Sequence, residues 1–170
     1  MGVRLTFDKL SDTDKNLTNK AIHEVRSNSR PNNIHIDTIH EGETVAWSHC
    51  LPEALIAPEV NQYLAAEMFL MTRDGFLYFL PILLSLGLFE SLSDFEYNFV
   101  SKFRREVLDT QLECSFSTNS KSLSERWIEI NLSHFQESEM DATEFDSEVP
   151  THFARLMSVL NHILNSPTKH

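Results

Sequence analysis

Residues 71–90 read MTRDGFLYFLPILLSLGLFE, and this stretch decides the fold. Its centre, Phe76–Phe89, is the most apolar segment of the chain, bracketed by Arg73, Asp74 and Glu90. Its 14 residues fall short of the ~20 that a bilayer-spanning helix requires. It reads as a buried core helix. Thr72-Arg73-Asp74-Gly75 interrupts the preceding apolar pattern and opens this helix. Pro81 lies inside it and should kink it or displace its start, because proline lacks an N–H and its ring crowds the preceding turn.

Outward from this segment, a Ser followed three residues later by an acid recurs at Ser11…Asp14, Ser91…Asp94 and Ser122…Glu125. The hydroxyl can accept from an orphan backbone N–H, and the acid suits the positive end of a helix. After Ser11, Leu17, Ala21, Ile22 and Val25 predict a helix over about residues 12–27, closed by Asn28, Ser29 and Pro31. After Ser91, Leu92, Phe95, Phe99, Phe103 and Val107 form the clearest apolar stripe, widened by Val100 and Leu108. After Ser122, Leu123, Trp127 and Ile130 share a face; Trp127–Leu132 also alternates like a strand, but the cap and the extension to Phe135 favour helix. Pro58, followed by Val60, Tyr63, Leu64, Met68 and Met71, marks another helix start. Pro150 marks the last, with Val149, Phe153, Leu156, Met157, Leu160 and Ile163 behind it. Residues 29–50 are less regular, and Ile34, Ile36 and Ile39 could make one short strand. Met68, Met71, Met157 and the aromatics Phe76, Tyr78 and Phe79 are assigned to the core. The expected architecture is all-α: one domain, residues 1–170, with about six helices around the central apolar one.

Composition agrees. A chain of 170 residues supports one sizeable core, and four glycines with six prolines disfavour a turn-rich β fold. The chain carries 14 Lys and Arg against 25 Asp and Glu, a net charge of −11. That field repels nucleic acid and anionic membrane and draws in cations. Lys102, Arg104 and Arg105 are the only dense basic cluster, too small for a nucleic-acid groove. Met1–Leu10 holds charges and no continuous apolar run, so a cytoplasmic setting with reduced Cys50 and Cys114 is expected. The myristoylation-like start Met1-Gly2-Val3-Arg4-Leu5-Thr6 is read as chance, and the sequons at Asn16 and Asn131 have no role in that setting.

Two regions could carry chemistry. His35, His40 and His49 lie near Asp37, Glu41, Glu43 and Cys50, but their spacing matches no zinc motif and His49-Cys50 side by side is a poor nucleophile pair. No nucleophile elbow, Walker loop or Rossmann pattern is present, so no cofactor, metal or catalytic residue is assigned. The acidic stretch holds Glu137, Glu139, Asp141, Glu144, Asp146 and Glu148 without a Lys or Arg, with Met140 and Phe145 interleaved. Carboxylates beside an apolar anchor suit a surface that meets a cationic protein. A solvated connection between helices is the plainer reading.

The segment Met71–Leu86, with Trp47 before it, resembles the signature of a family of small bacterial helical proteins, Thr-x-x-Gly/Ala-Phe-x-Tyr/Phe-Tyr/Phe-Leu-Pro. The resemblance extends over about residues 40–135 and implies a helical fold. In length, acidity and lack of catalytic motifs the chain is also similar to the immunity proteins of bacterial toxin systems, contact-dependent growth inhibition among them. That similarity implies a cytoplasmic protein, not an enzyme, that neutralises a cationic toxin domain such as a nuclease. The acidic stretch lies outside the resembling part, so from charge alone Glu137, Glu139, Asp141, Glu144, Phe145, Asp146 and Glu148 are the expected contact surface. The alternatives are a small enzyme or metal-binding protein using His35–Cys50, or a housekeeping interaction module.

Overall fold

The computed structural model describes residues 7–33, 68–88, 93–139 and 148–169. Among these it contains five α-helices: α1 (Asp12–Ser27), α2 (Arg73–Leu86), α3 (Ser93–Phe103), α4 (Thr118–Glu139) and α5 (Glu148–Asn165). The all-α expectation holds, with five helices where about six were expected. The helix expected after Pro58 falls on residues outside the described ones, apart from a 3-10 turn at Met68–Leu70. Ile34–Ile39 also lies outside them. None of the described helices is long and apolar enough to cross a membrane.

Two of the starts are written locally. The Asp14 N–H donates to Ser11 Oγ at 3.2 Å, and the Gly75 N–H donates to Thr72 Oγ1 at 3.0 Å. The central helix α2 therefore begins where residues 72–75 announced it, and it runs through Pro81 with no displaced start. It is apolar on nearly all sides, so it must be enclosed. Phe76, Phe79, Leu80, Ile82, Leu83, Leu84 and Leu86 are all buried. Helix α1 packs on α2 and α4, α4 also packs on α2 and α5, and α3 packs on α5 and the Met68–Leu70 turn.

The stripe on α3 delivers an aromatic cluster to this centre. Phe99 sits 5.8 Å from Phe76 and 5.3 Å from Trp127, ring centre to ring centre, and Phe103 lies 6.1 Å from Phe116. Trp127 is fully buried. Gly87, the C-cap of α2, lies flat against its indole. A β-carbon added there would fall 2.4 Å from Trp127 Cδ2, far inside contact distance.

Helix α4 departs from expectation in an instructive way. It starts four residues earlier than the Ser122 signal, at Thr118, because Ser117 is the cap. The Ser120 N–H donates to Ser117 Oγ at 3.1 Å, and the Lys121 N–H donates to Ser117 O at 3.0 Å. The acid that belongs at this helix end comes from another helix. Glu24 of α1 accepts from Ser117 Oγ at 2.7 Å and from Asn119 Nδ2 at 3.0 Å. Further along, Arg126 holds buried Asp14 through both carboxylate oxygens, at 2.8 and 3.2 Å. Two polar clasps thus fix α1 along α4. Trp127–Leu132 is helical, as the cap-based reading preferred.

Helix α3 runs on as a π-helical turn, Arg104–Leu108. The Leu112 N–H reaches Val107 O at 3.0 Å and the Gln111 N–H reaches Leu108 O at 3.1 Å, the paired bonds of a Schellman ending. The residue that makes this turn, Gln111, has φ +54° and a solvent-exposed side chain. An L-residue in this region is strained where glycine is not. Gln111→Gly should therefore raise stability by about 0.5–1 kcal/mol in chemical denaturation, net of the extra freedom glycine gives the unfolded chain. A loss of stability would show that the Gln111 side chain holds the turn.

The C-terminal segment closes the bundle. Phe116 and Thr168 pair as an isolated parallel bridge, with the Phe116 N–H donating to Pro167 O at 2.9 Å and the Lys169 N–H to Phe116 O at 2.8 Å. Lys121 Nζ donates to Ser166 O and, at 2.9 Å, to Thr168 Oγ1.

Candidate functional site

The charge of this protein is unevenly divided. The described residues contain 13 Lys and Arg against 15 Asp and Glu, a near balance. The rest of the chain contains 1 against 10. Several cations of the helical frame are also turned inward: Lys102 is fully buried, Arg126 clasps Asp14, and Lys121 holds the C-terminal segment.

Along the chain one stretch is of a single sign. No Lys or Arg occurs between Arg126 and Arg155, a run that holds seven acids and covers the second part of α4, the connection, and the start of α5. The start of α3 adds Asp94 and Glu96 and no cation before Lys102. Contacts bring these three pieces together. Trp127 Nε1 donates to Glu96 Oε1 at 3.3 Å, and Glu96 Oε2 lies 4.0 Å from His152 Nε2. Glu96 therefore bridges α3 to both α4 and α5. Beside it, Tyr97 lies over the His152 ring at 5.9 Å and is 57% exposed, the largest exposure of a large apolar side chain among the described residues. Leu132, on the acidic half of α4, is the other, at 43%.

Of the residues expected to form the contact surface, Glu137 and Glu139 lie in the last turn of α4 and Glu148 is the first residue of α5. Asp141, Glu144, Phe145 and Asp146, with Met140, lie outside the described residues, so the structure gives only the helix positions of Glu137, Glu139 and Glu148. Sequence reasoning missed Glu96, Tyr97 and His152. For His152 the absence of Lys and Arg from Trp127 to Ala154 was the signal available; Glu96 and Tyr97 lie outside that run, and no local signal marks them.

His35, His40, His49 and Cys50 lie outside the described residues. Among the described residues no three His, Cys, Asp or Glu side chains converge as a metal-holding group. Cys114 is half-buried and unpaired in any disulfide among them. It lines an open groove of about 850 Å³ with Val107, Leu108, His162 and Pro167. Burial pushes its thiol up, against a smaller opposing pull from Arg73. The protonated thiol is the weaker nucleophile, so burial does not activate Cys114.

Among the described residues the fold is an all-α bundle in which α3, α4 and α5 meet at Glu96, beside the exposed Tyr97. In comparisons with known proteins, no family model, curated protein or solved structure matches the chain.

Proposed function

We propose that this chain is a binding protein whose acidic end docks a cationic protein, acting as an immunity protein that neutralises a toxin domain of the nuclease kind. The single observation that carries this reading is the segregation of charge. Cations serve the interior or sit on the balanced frame, and the run from Trp127 to Ala154 has seven acids and no cation. A face of one sign accelerates encounter with an opposite one by about 10–1,000-fold, and the gain shrinks as salt rises. Tyr97 supplies what charge does not, an aromatic side chain able to be enclosed and so to slow release. A nuclease must bind phosphates and therefore presents the Lys and Arg groups this end would meet. The similarity to immunity proteins of contact-dependent growth inhibition supplies the biological setting, a cytoplasmic one.

The test combines Glu137→Gln, Glu139→Gln, Asp141→Asn, Glu144→Gln and Asp146→Asn in one variant. The probe is the product of the neighbouring gene, provided it is basic and growth-inhibiting. The variant should keep its helical circular dichroism, lose affinity by about 100-fold or more, chiefly through slower association, and cease to protect cells. Unchanged affinity and protection would sink the assigned surface. Tyr97→Ala should instead raise the dissociation rate.

A further inference from the structure

Far from the acidic end in charge, cations gather where α2 begins and α3 ends. Lys102 is fully buried, its Nζ donating to Met71 O at 2.6 Å and to Glu106 Oε1 at 3.1 Å. Arg105 Nε lies 3.4 Å from the same oxygen, and Arg73 Nε lies 3.5 Å from Glu106 Oε2. Among the described residues three cations therefore share one carboxylate, a surplus of two positive charges there. The nearest other acids along the chain, Asp74 and Asp109, ion-pair with none of them among the described residues. Like charges brought this close repel, more strongly where the surroundings are partly dry.

Two further features show a site that is shaped and incomplete. Arg73 Nε is buried and has no hydrogen-bond partner, because its approach to Glu106 does not satisfy it. Buried donors are normally satisfied, so Glu106 does not fully neutralise Arg73; a ligand would meet the solvent-exposed part of that side chain, since Nε itself is enclosed. Arg105 is held in place beforehand: its guanidinium lies 5.4 Å over the Phe69 ring, and one of its Nη atoms donates to Phe69 O at 3.4 Å. Both arginines keep an outer edge in solvent, with side chains 40% and 52% exposed. The α3 side of the cluster is the π-helical turn, an insertion frequent at functional sites.

We propose that Arg73 and Arg105 form a binding site for a phosphate-type dianion, with Glu106 as the fixed post between them and Lys102 as its buried support. Guanidinium groups offer paired donors matched to phosphate oxygens, and they stay charged at all working pH. A dianion balances the surplus of two charges; a monocarboxylate balances half of it. Lys102 stays committed to Met71 and Glu106 and takes no part in contact with the ligand. Inorganic phosphate and a small phosphomonoester share this chemistry. The site is independent of the acidic docking end, and neither reading stands or falls with the other.

The experiment follows the arginine Nε–H signals of the full chain by nuclear magnetic resonance while inorganic phosphate replaces chloride at constant ionic strength. The Arg73 and Arg105 signals should shift and saturate with a midpoint of about 1–10 mM, a range typical of a small site built on two charge-assisted forks. Acetate should bind at least about five-fold more weakly. Arg73→Gln and Arg105→Gln should each weaken phosphate binding about ten-fold, with Arg73→Lys and Arg105→Lys between them and the parent. Glycerol phosphate binding more tightly than inorganic phosphate would identify an ester as the ligand; equal or weaker binding would identify free phosphate. Signals that drift without saturating, or that respond equally to acetate, would overturn the site. So would shifts that persist in both Gln variants. The titration of the unaltered chain decides the matter even where a variant fails to fold.

Discussion

Trp127→Ala is expected to cost about 3–5 kcal/mol, the loss typical of removing a fully buried large aromatic side chain. The indole is the hub at which the helices meet. It packs on Phe99 and Phe95 of α3, touches Gly87 at the end of α2, and sends its N–H to Glu96. Its loss leaves a cavity that these rings cannot fill without leaving their own sites, and it strands the Glu96 carboxylate. Gly87→Ala probes the same contact from the other side. Its new methyl would meet indole carbons at 2.4 to 2.7 Å, three atoms of one rigid ring with backbone behind the methyl. The expected loss is about 1–3 kcal/mol or more. The two effects should not add. In a Trp127→Leu background, Gly87→Ala should lose most of its penalty, because the rigid ring it strikes is gone. Urea denaturation of the four proteins measures this, and strict additivity would show that Gly87 is not held by the indole.

The second large effect concerns Lys102 and Glu106, and it is asymmetric. Glu106→Gln leaves a buried ammonium with only a carbonyl and a neutral amide beside it, an expected loss of about 3–5 kcal/mol. Lys102→Met removes the charge itself and leaves Glu106 between Arg73 and Arg105. Its cost is confined to the Met71 carbonyl left without a donor and should be about 1–3 kcal/mol. Equal losses would mean that the ammonium is not desolvated.

The same pair shapes the response to pH. Burial pushes the Glu106 carboxyl up, but the hydrogen bond and charge of Lys102, with the charges of Arg105 and Arg73, outweigh it and hold the group below its ordinary value of 4.5. The stability this contributes is complete above 4.5 and is lost as pH falls through the depressed folded value, because protons then favour the unfolded chain. Burial pushes Lys102 down from 10.5, partly opposed by Glu106. The unfolded chain therefore binds that proton more tightly, and between the depressed folded value and 10.5 stability rises with pH. Glu106→Gln should flatten the acid limb of a denaturation series between pH 2 and 6, and Lys102→Met should flatten the alkaline rise.

What could be read in advance follows from the range of the interactions. The Ser11 and Thr72 caps bond to backbone N–H groups three residues away, so they are written in consecutive letters. The stripe on α3 and the unbroken apolar run of α2 are likewise periodic over one helix, and they placed Phe76, Phe79, Phe95, Phe99 and Phe103 in the core without any fold in hand. The acidic stretch was legible as composition, and two of its shoulders, Glu137 and Glu139, were found on one helix end.

The cap of α4 was misplaced for a physical reason. Ser115, Ser117, Ser120, Ser122 and Ser124 offer competing hydroxyls, and Ser122 alone among these has an acid three residues on. The carboxylate that settles the choice is Glu24, 93 residues from Ser117 along the chain.

Neighbours within a turn and plain counting were enough to read the helical class of the described residues, the place of the central helix and the strongly negative charge. Tertiary structure alone decided that Lys102 is buried between Met71 and Glu106, that Gly87 must stay bare beneath Trp127, and that Glu96, Tyr97 and His152 share the acidic end. Each of those facts involves atoms from segments far apart in the chain, and the order of letters along one helix carries no record of which distant group will be packed against it.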